Sequence, residues 1–285
     1  MRRKQKLAFV LGGGGHMGAY EVGMLRALLE HGLTPNLVVG TSVGALNGAA
    51  IAADPALPTV DSLESIWLSL DQGEIFGGSI YAGAANLVRT RTHLHSNRSL
   101  RKLIERTLPV RTFEELRVPF QCVAASIERA AEHWFDSGPL ADAILASAAV
   151  PGILPAVEID GEHFIDGGVV NSIPVSRAVE LSATEIYVLH AGRVERPLEP
   201  PKNLWQVAWV AFEIARRHRF ARDMASLPEG VVVHVLPTGE RSPARYDDVS
   251  QLRYGDFKAV RRRIDRAHRA TRAFLEDSPS PRREG

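Results

Sequence analysis

The stretch "LAFVLGGGGHMGAYEVGMLRALLEHG", residues 7–32, places five apolar residues, four consecutive glycines and an amphipathic segment in a row. A short continuous apolar run such as Leu7–Leu11 is the pattern of a parallel strand buried on both faces. Val22, Leu25, Leu28 and Leu29 then share one face of a helix that Gly32 ends. Between them, Gly12 to Gly15 are costly to order, because glycine loses more backbone freedom on folding than any other residue. Something must approach that backbone closely, and an anion is the first candidate. Gly13-Gly14-Gly15-His16-Met17-Gly18 satisfies G-x-G-x-x-G, the phosphate-cradling pattern of dinucleotide folds.

The following segment tests that reading. Leu37-Val38-Val39 is a second short strand, and 45–53 is a small-residue helix stopped before Pro55. A dinucleotide unit needs a carboxylate at the end of its second strand, to hold the ribose hydroxyls. Here that strand runs into Gly40-Thr41-Ser42-Val43-Gly44, with no carboxylate. The pattern G-x-S-x-G is instead a nucleophile elbow, a serine on a tight strand-to-helix turn whose neighbours must be small. The two glycine turns leave adjacent strands at one sheet edge. Ser42 on one, with the free backbone N–H groups of the Gly13–Gly18 turn on the other, make a nucleophile and an oxyanion hole.

The serine needs a base. An α/β-hydrolase supplies Ser, Asp and His in chain order, which Asp166 and His190 match. Against that, Ser42 follows only two strands, whereas that fold builds several first, so His190 reads as a strand-end residue. Asp166-Gly167-Gly168 directly follows a hairpin, 158–164, that turns at Asp160-Gly161.

The rest of the chain sets the frame. With 285 residues, 45% hydrophobic, 24% charged and a formal net charge of +1, it reads as an ordinary globular protein whose charge names no nucleic-acid partner. Only Lys4, Lys6, Lys102, Lys202 and Lys258 among its 34 basic residues are lysines. The single cysteine, Cys122, sits in an apolar run, so no disulfide framework exists and a buried thiol is expected. No run approaches the roughly 18 apolar residues of a membrane span, and Leu7–Leu11 is too short for a signal peptide, which gives a cytoplasmic expectation. Further strands are expected at 120–126, 132–135, 185–190 and 231–236, the last too apolar for an edge, with helices at 140–149 and 175–182. Residues 71–98, rich in Gly, Asn, Arg and Thr, suggest a mobile flap. Residues 277–285, "DSPSPRREG", suggest a disordered tail. With no convincing linker, one domain over residues 1–276 is expected.

Taken together, these residues resemble the patatin-like phospholipase family. That family carries a G-G-G-x-[R/K]-G oxyanion loop, a G-x-S-x-G nucleophile and a D-G-[A/G] aspartate in this order. The matches are Gly13 to Gly18, Gly40 to Gly44 and Asp166-Gly167-Gly168, and "ASAAVPGILPAV", 146–157, is similar to the family's lead into the aspartate hairpin. The likeness covers roughly residues 5–190. It implies a three-layer α/β/α fold with a mostly parallel central sheet. It also implies a Ser42–Asp166 dyad without histidine, oxyanion donors at Gly13, Gly14 and Gly15, and supporting roles for His16, Met17, Gly18, Gly40, Gly44, Gly167 and Gly168. The implied activity is hydrolysis of ester-linked acyl chains of lipids, with no metal or organic cofactor. A thioesterase or acyltransferase would use the same acyl-serine, and a lipid-binding protein could retain the motifs without reacting. One position departs from the pattern: the family's Arg or Lys is Met17 here.

Two stretches point outward. Trp205, Trp209 and Phe212 share a helical face beside Arg216, Arg217, Arg219 and Arg222. Val260, Ile264, Ala267, Thr271 and Phe274 form a stripe flanked by Arg261, Arg262, Arg263, Arg266 and Arg269. Such helices either pack on their own core or lie on an anionic membrane surface as a peripheral contact.

Overall fold

The structure is a computed structural model and describes residues 6–70, 92–191, 197–202, 204–240 and 257–277. Its centre is β1 (Leu7–Leu11), flanked in parallel by β2 (Leu37–Thr41) and β7 (Glu185–Leu189). β3 (Phe120–Ser126) continues the parallel sheet beyond β2, and β8 (Val232–Val235) continues it beyond β7. β4 (Ala131–Phe135) and the hairpin β5 (Val157–Ile159)–β6 (Glu162–Asp166) join β3 antiparallel. At the hairpin turn both Asp160 (φ 52°) and Gly161 (φ 79°) are left-handed, as a two-residue turn between twisted strands requires.

Alternation along the central strands divides the core in two. Phe9, Leu11, Val38, Tyr187 and Leu189 pack into a layer with α1 (Gly18–Glu30), α2 (Val43–Ala53), α3 (Leu57–Ser69), α4 (Arg98–Thr107), α5 (Leu140–Ser147) and the later α9 (Phe257–Asp277). Ala8, Val10, Val39, Ile186 and Val188 face α7 (Val175–Glu180) and Phe220 of α8 (Leu204–Ala225). The short α6 (Gly168–Asn171) packs against α8. Helices thus cover both faces of a mostly parallel sheet, the three-layer arrangement expected from the sequence.

Local chemistry explains the helix ends and crossings. Past α1, Gly32 (φ 69°) donates to the Leu29 carbonyl and Leu33 to that of Leu28, closing the helix in the paired-bond glycine motif. Within α1, Gly23 is where α9 lies closest, since a Cβ there would meet the Ile264 carbonyl and, at 2.9 Å, the His268 amide. A buried polar chain binds three helices. Trp67 Nε1 donates to Asn47 Oδ1 at 3.1 Å, and Asn47 Nδ2 donates to Glu21 Oε2 at 2.7 Å. Burial holds the Glu21 carboxyl well above the usual carboxylate range, against the opposing Asn47 bond.

Four sequence expectations need correction or limits. β8 is the outermost strand among the described residues, with Val232 and Val235 exposed. A short apolar run does not distinguish an edge from a centre, because pairing on its far side is set by distant chain. Residues 71–91 of the expected flap lie outside the described residues. The remainder is anchored, with Leu94 and His95 donating to the carbonyls of Gly152 and Ile153 and α4 starting at Arg98. Asp277 still belongs to α9, and the rest of the expected tail lies outside the described residues. Finally, the stripe of α9 is buried against α1 (Val260, Ile264, Ala267 and Thr271), so this helix turns only its polar side outward.

Candidate active site

Strand register brings Ser42 and Asp166 together. Thr41 at the end of β2 pairs with Val123, and Asp166 at the end of β6 pairs with the next residue of β3, Ala124. β4 occupies the other edge of β3 over Cys122 to Ser126. β2 and the antiparallel β6 therefore share one edge and meet end to end. The residue after Thr41 and the residue ending β6 must face each other there.

Ser42 stands at the junction with φ 55° and ψ −121°, a strained conformation for a residue bearing a Cβ. Such strain costs about 1–3 kcal/mol and persists only where the surroundings enforce it. They do so here. A Cβ on Gly40 would stand 2.5 Å from the Gly44 carbonyl, and one on Gly44 would strike the Leu11 carbonyl, so the elbow is pressed against its own helix and against β1. The Ser42 amide donates to Ser147 Oγ at 2.9 Å, and Thr41 Oγ1 donates to the Asn171 carbonyl at 2.9 Å. Ser147 also accepts the Gly167 amide at its carbonyl. α5 thus holds both halves of the junction.

The Ser42 hydroxyl donates to Asp166 Oδ2 at 2.7 Å, and the Gly168 amide donates to Oδ1 at 2.7 Å. Both side chains are buried. Burial raises the Asp166 carboxyl from 3.8 to about 6, against the lowering effect of the bonds from Ser42 and Gly168. The result is a carboxylate whose basicity lies nearer neutrality, bonded directly to a serine hydroxyl.

The glycine loop lies beside this pair. A Cβ on Gly13 would be 3.4 Å from the Ser42 Cβ, and Gly15 (φ 56°) opens the single turn Gly15–Met17 that leads into α1. The Gly13 amide, expected as an oxyanion donor, donates instead to the Ser172 carbonyl at 2.9 Å. His16 and Met17 are buried, Met17 within the apolar core, and a Cβ on Gly18 would stand 2.5 Å from the Val43 side chain.

The family model for patatin-like phospholipases matches residues 9–179, and that span holds all three motifs. The chain belongs to this family. Among its relatives, a patatin-like phospholipase domain-containing protein of Caenorhabditis elegans is 30% identical over 66% of this chain and 14% of its own length. Lysophospholipase nte1 of Aspergillus terreus is 26% identical over 67% of this chain and 12% of its own. An uncharacterised NTE family protein of Mycobacterium bovis is 32% identical over 62% and 47% respectively. The chain therefore spans less than half the length of each. Among solved structures, VipD from Legionella pneumophila is 13% identical with a TM-score of 0.50, over 95% of this chain and 67% of VipD, a likeness of fold.

Other candidates fall in different places. His190 follows β7, on the far side of β1 from the Ser42 strand. It is buried against Gly12, and neither ring nitrogen has a partner among the described residues. Burial, then Arg216 and Arg217, push its pKa well below the usual value, so the ring is neutral. Asp166 bonds directly to Ser42, and no histidine intervenes. The Cys122 thiol is buried and its pKa is raised by burial. The side chains of Trp205 and Trp209 lie outside the described residues. Of the arginines following them, Arg222 is exposed, whereas Arg216 pairs with Glu213 at 2.9 Å, Arg217 with Glu213 at 3.2 Å, and Arg219 with Glu132 at 2.5 Å. Sequence reading missed Ser147, Asn171, Ser172 and Glu213 as supports of the site. Only Ser147 carried a signal, since it lies inside "ASAAVPGILPAV".

Proposed function

We propose that the protein is a serine acyl hydrolase that cleaves acyl esters of phospholipids or lysophospholipids through Ser42 and Asp166. The observation carrying this reading is the 2.7 Å bond from a strained elbow serine to a buried carboxylate with a pKa of about 6. Ser42 Oγ attacks the acyl carbonyl while Asp166 Oδ2 takes its proton. The amides of Gly14 and Gly15 receive the negative charge on the tetrahedral oxygen, and the N-terminus of α2 adds a favourable dipole. Collapse expels the alcohol, which takes the proton from Asp166, and leaves an acyl-serine. Water, deprotonated by the same carboxylate, then releases the fatty acid and restores Ser42. The substrate class rests on membership of the family and on the name of the Aspergillus relative.

A lipid substrate lies in an interface, and peripheral contact is part of this proposal. Val207 and Ile214 are exposed on one side of α8, and Val169 is exposed on α6, which packs against α8 three residues past Asp166. In this proposal these exposed apolar side chains are the part of α6 and α8 that meets the lipid.

Ser42→Ala and Asp166→Asn, assayed as folded proteins on p-nitrophenyl acyl esters, are each expected to lose activity by about 10²–10⁴-fold or more. A fluorophosphonate is expected to label Ser42 alone. Full turnover by either variant, or labelling of a different serine, defeats the proposal.

A further inference from the structure

We infer that Arg216 of α8 is the positioning cation of the oxyanion loop, acting through the Gly13–Gly14 peptide. This rests on the serine-hydrolase reading above and adds a residue outside its motifs. Arg216 Nη1 lies 3.5 Å from the Gly13 carbonyl and 3.5 Å from Ser172 Oγ. Its other terminal nitrogen pairs with Glu213 at 2.9 Å, one helical turn earlier. The Arg216 side chain is 10% exposed and that of Glu213 is 7% exposed, so the pair is held in place rather than solvated.

The peptide geometry gives the contact its consequence. In a trans peptide the C=O of one residue and the N–H of the next point in opposite directions. A guanidinium on the Gly13 carbonyl therefore fixes the Gly14 N–H pointing away from Arg216. It also polarises that peptide, which makes the Gly14 amide a stronger donor. Ser172 supports the same unit from a second direction, because its carbonyl accepts the Gly13 amide at 2.9 Å. Since Ser172 directly follows α6, the short helix after Asp166, one guanidinium joins the oxyanion loop to the aspartate segment.

Glycines need such support more than other residues do. A loop of Gly12 to Gly15 has many accessible conformations, and one misaligned amide forfeits much of its effect on a developing oxyanion. Met17, where the family motif has a cation, lies in the apolar core. The positive charge near this loop comes instead from a residue 203 positions beyond Gly13. Arg219 of the same helix pairs with Glu132 on β4 and contacts Ser176 on α7, which fixes the seat of α8 on the sheet.

The test combines kinetics with the rate at which a fluorophosphonate labels Ser42, since both build charge at the loop. Arg216→Met is expected to lower kcat and the labelling rate about 10- to 100-fold, with KM within about twofold. Methylguanidinium at millimolar concentration is expected to restore part of the rate in Arg216→Ala. Arg216→Lys should fall between, because an ammonium keeps the charge but not the fork. Glu213→Gln should move kcat in the same direction as Arg216→Met by a smaller factor. If Arg216→Met fails to fold, Arg216→Lys and Glu213→Gln decide. Parent-like rates in the folded variants overturn the inference, and so does a rise in KM with kcat unchanged. Failure of the parent protein itself to label at Ser42 would defeat the hydrolase reading and this inference together, a result distinct from parent-like labelling in the Arg216 variants.

Discussion

At the scale of single residues, the proposed chemistry turns on one carboxyl. Asp166 is buried with two hydrogen bonds, and burial outweighs both in setting its pKa at about 6. The native state thus holds this proton more tightly than the unfolded chain does. The accompanying stabilisation is complete below the unfolded value of 3.8 and disappears as pH rises through about 6. Asp166→Asn removes the cost of a buried charge. At pH 8 that variant is expected to be more stable than the parent by on the order of 2–3 kcal/mol, an advantage that vanishes toward pH 4. Urea denaturation at both pH values measures it, and equal stability at pH 8 contradicts the assignment. The same group gives a rate signature. As a base it must be ionised, so kcat/KM is expected to rise with unit slope to a plateau with an apparent pKa near 6. An acid limb centred near 4 would show a carboxyl of ordinary basicity. The motif at this site was legible from the sequence, because D-G-G and G-T-S-V-G both stand out as short strings. The pKa was not, since it arises from residues packed around Asp166 from elsewhere in the chain.

At the scale of elements, α2 and α5 hold Ser42, while Arg216 of α8 and Ser172 at the end of α6 contact the glycine loop. The strands were readable as apolar runs, and the Asp160-Gly161 hairpin from its turn residues. What escaped was the contact between helices. Gly23 looks like a weak point within the amphipathic pattern of α1, yet it is the place where α9 approaches. Gly23→Val is expected to push α9 off α1 and to destabilise the fold by about 1–3 kcal/mol, seen as a lower urea midpoint. An unchanged midpoint would mean that the crossing carries little of the stability. Likewise the basic residues of α8 suggested an outward charged face. Arg216 and Arg217 instead pair with Glu213 one turn earlier, as helical spacing allows, and Arg219 with Glu132 on β4, a partner that helical periodicity does not single out.

For the whole molecule, strand pairing puts the β2–β6 junction beside the glycine loop, and the mutually packed α6 and α8 carry exposed Val169, Val207 and Ile214. The expected consequence is attachment to lipid through apolar contact. Val207→Ser with Ile214→Ser should reduce cosedimentation with phospholipid vesicles while leaving hydrolysis of a soluble p-nitrophenyl ester unchanged. Binding that survives these changes but vanishes at about 1 M salt would assign the contact to arginines such as Arg262 and Arg269, whose attraction is screened. By itself the sequence determined the order of the motifs, the family resemblance and the alternation of strands and helices, and it singled out Ser42 as the proposed nucleophile. Each of those is written in neighbouring residues, whose spacing follows the periods of strand, helix and turn. Only the tertiary structure decided that β6 meets β2 end to end and that β8 lies at the edge. It also turned the Gly13 amide to Ser172 and set Arg216 against the Gly13 carbonyl. Those outcomes depend on contacts that run from 47 residues (Glu185 to Val232) to 203 (Gly13 to Arg216) along the chain, where no local period operates and only the packed sheet selects which ends meet.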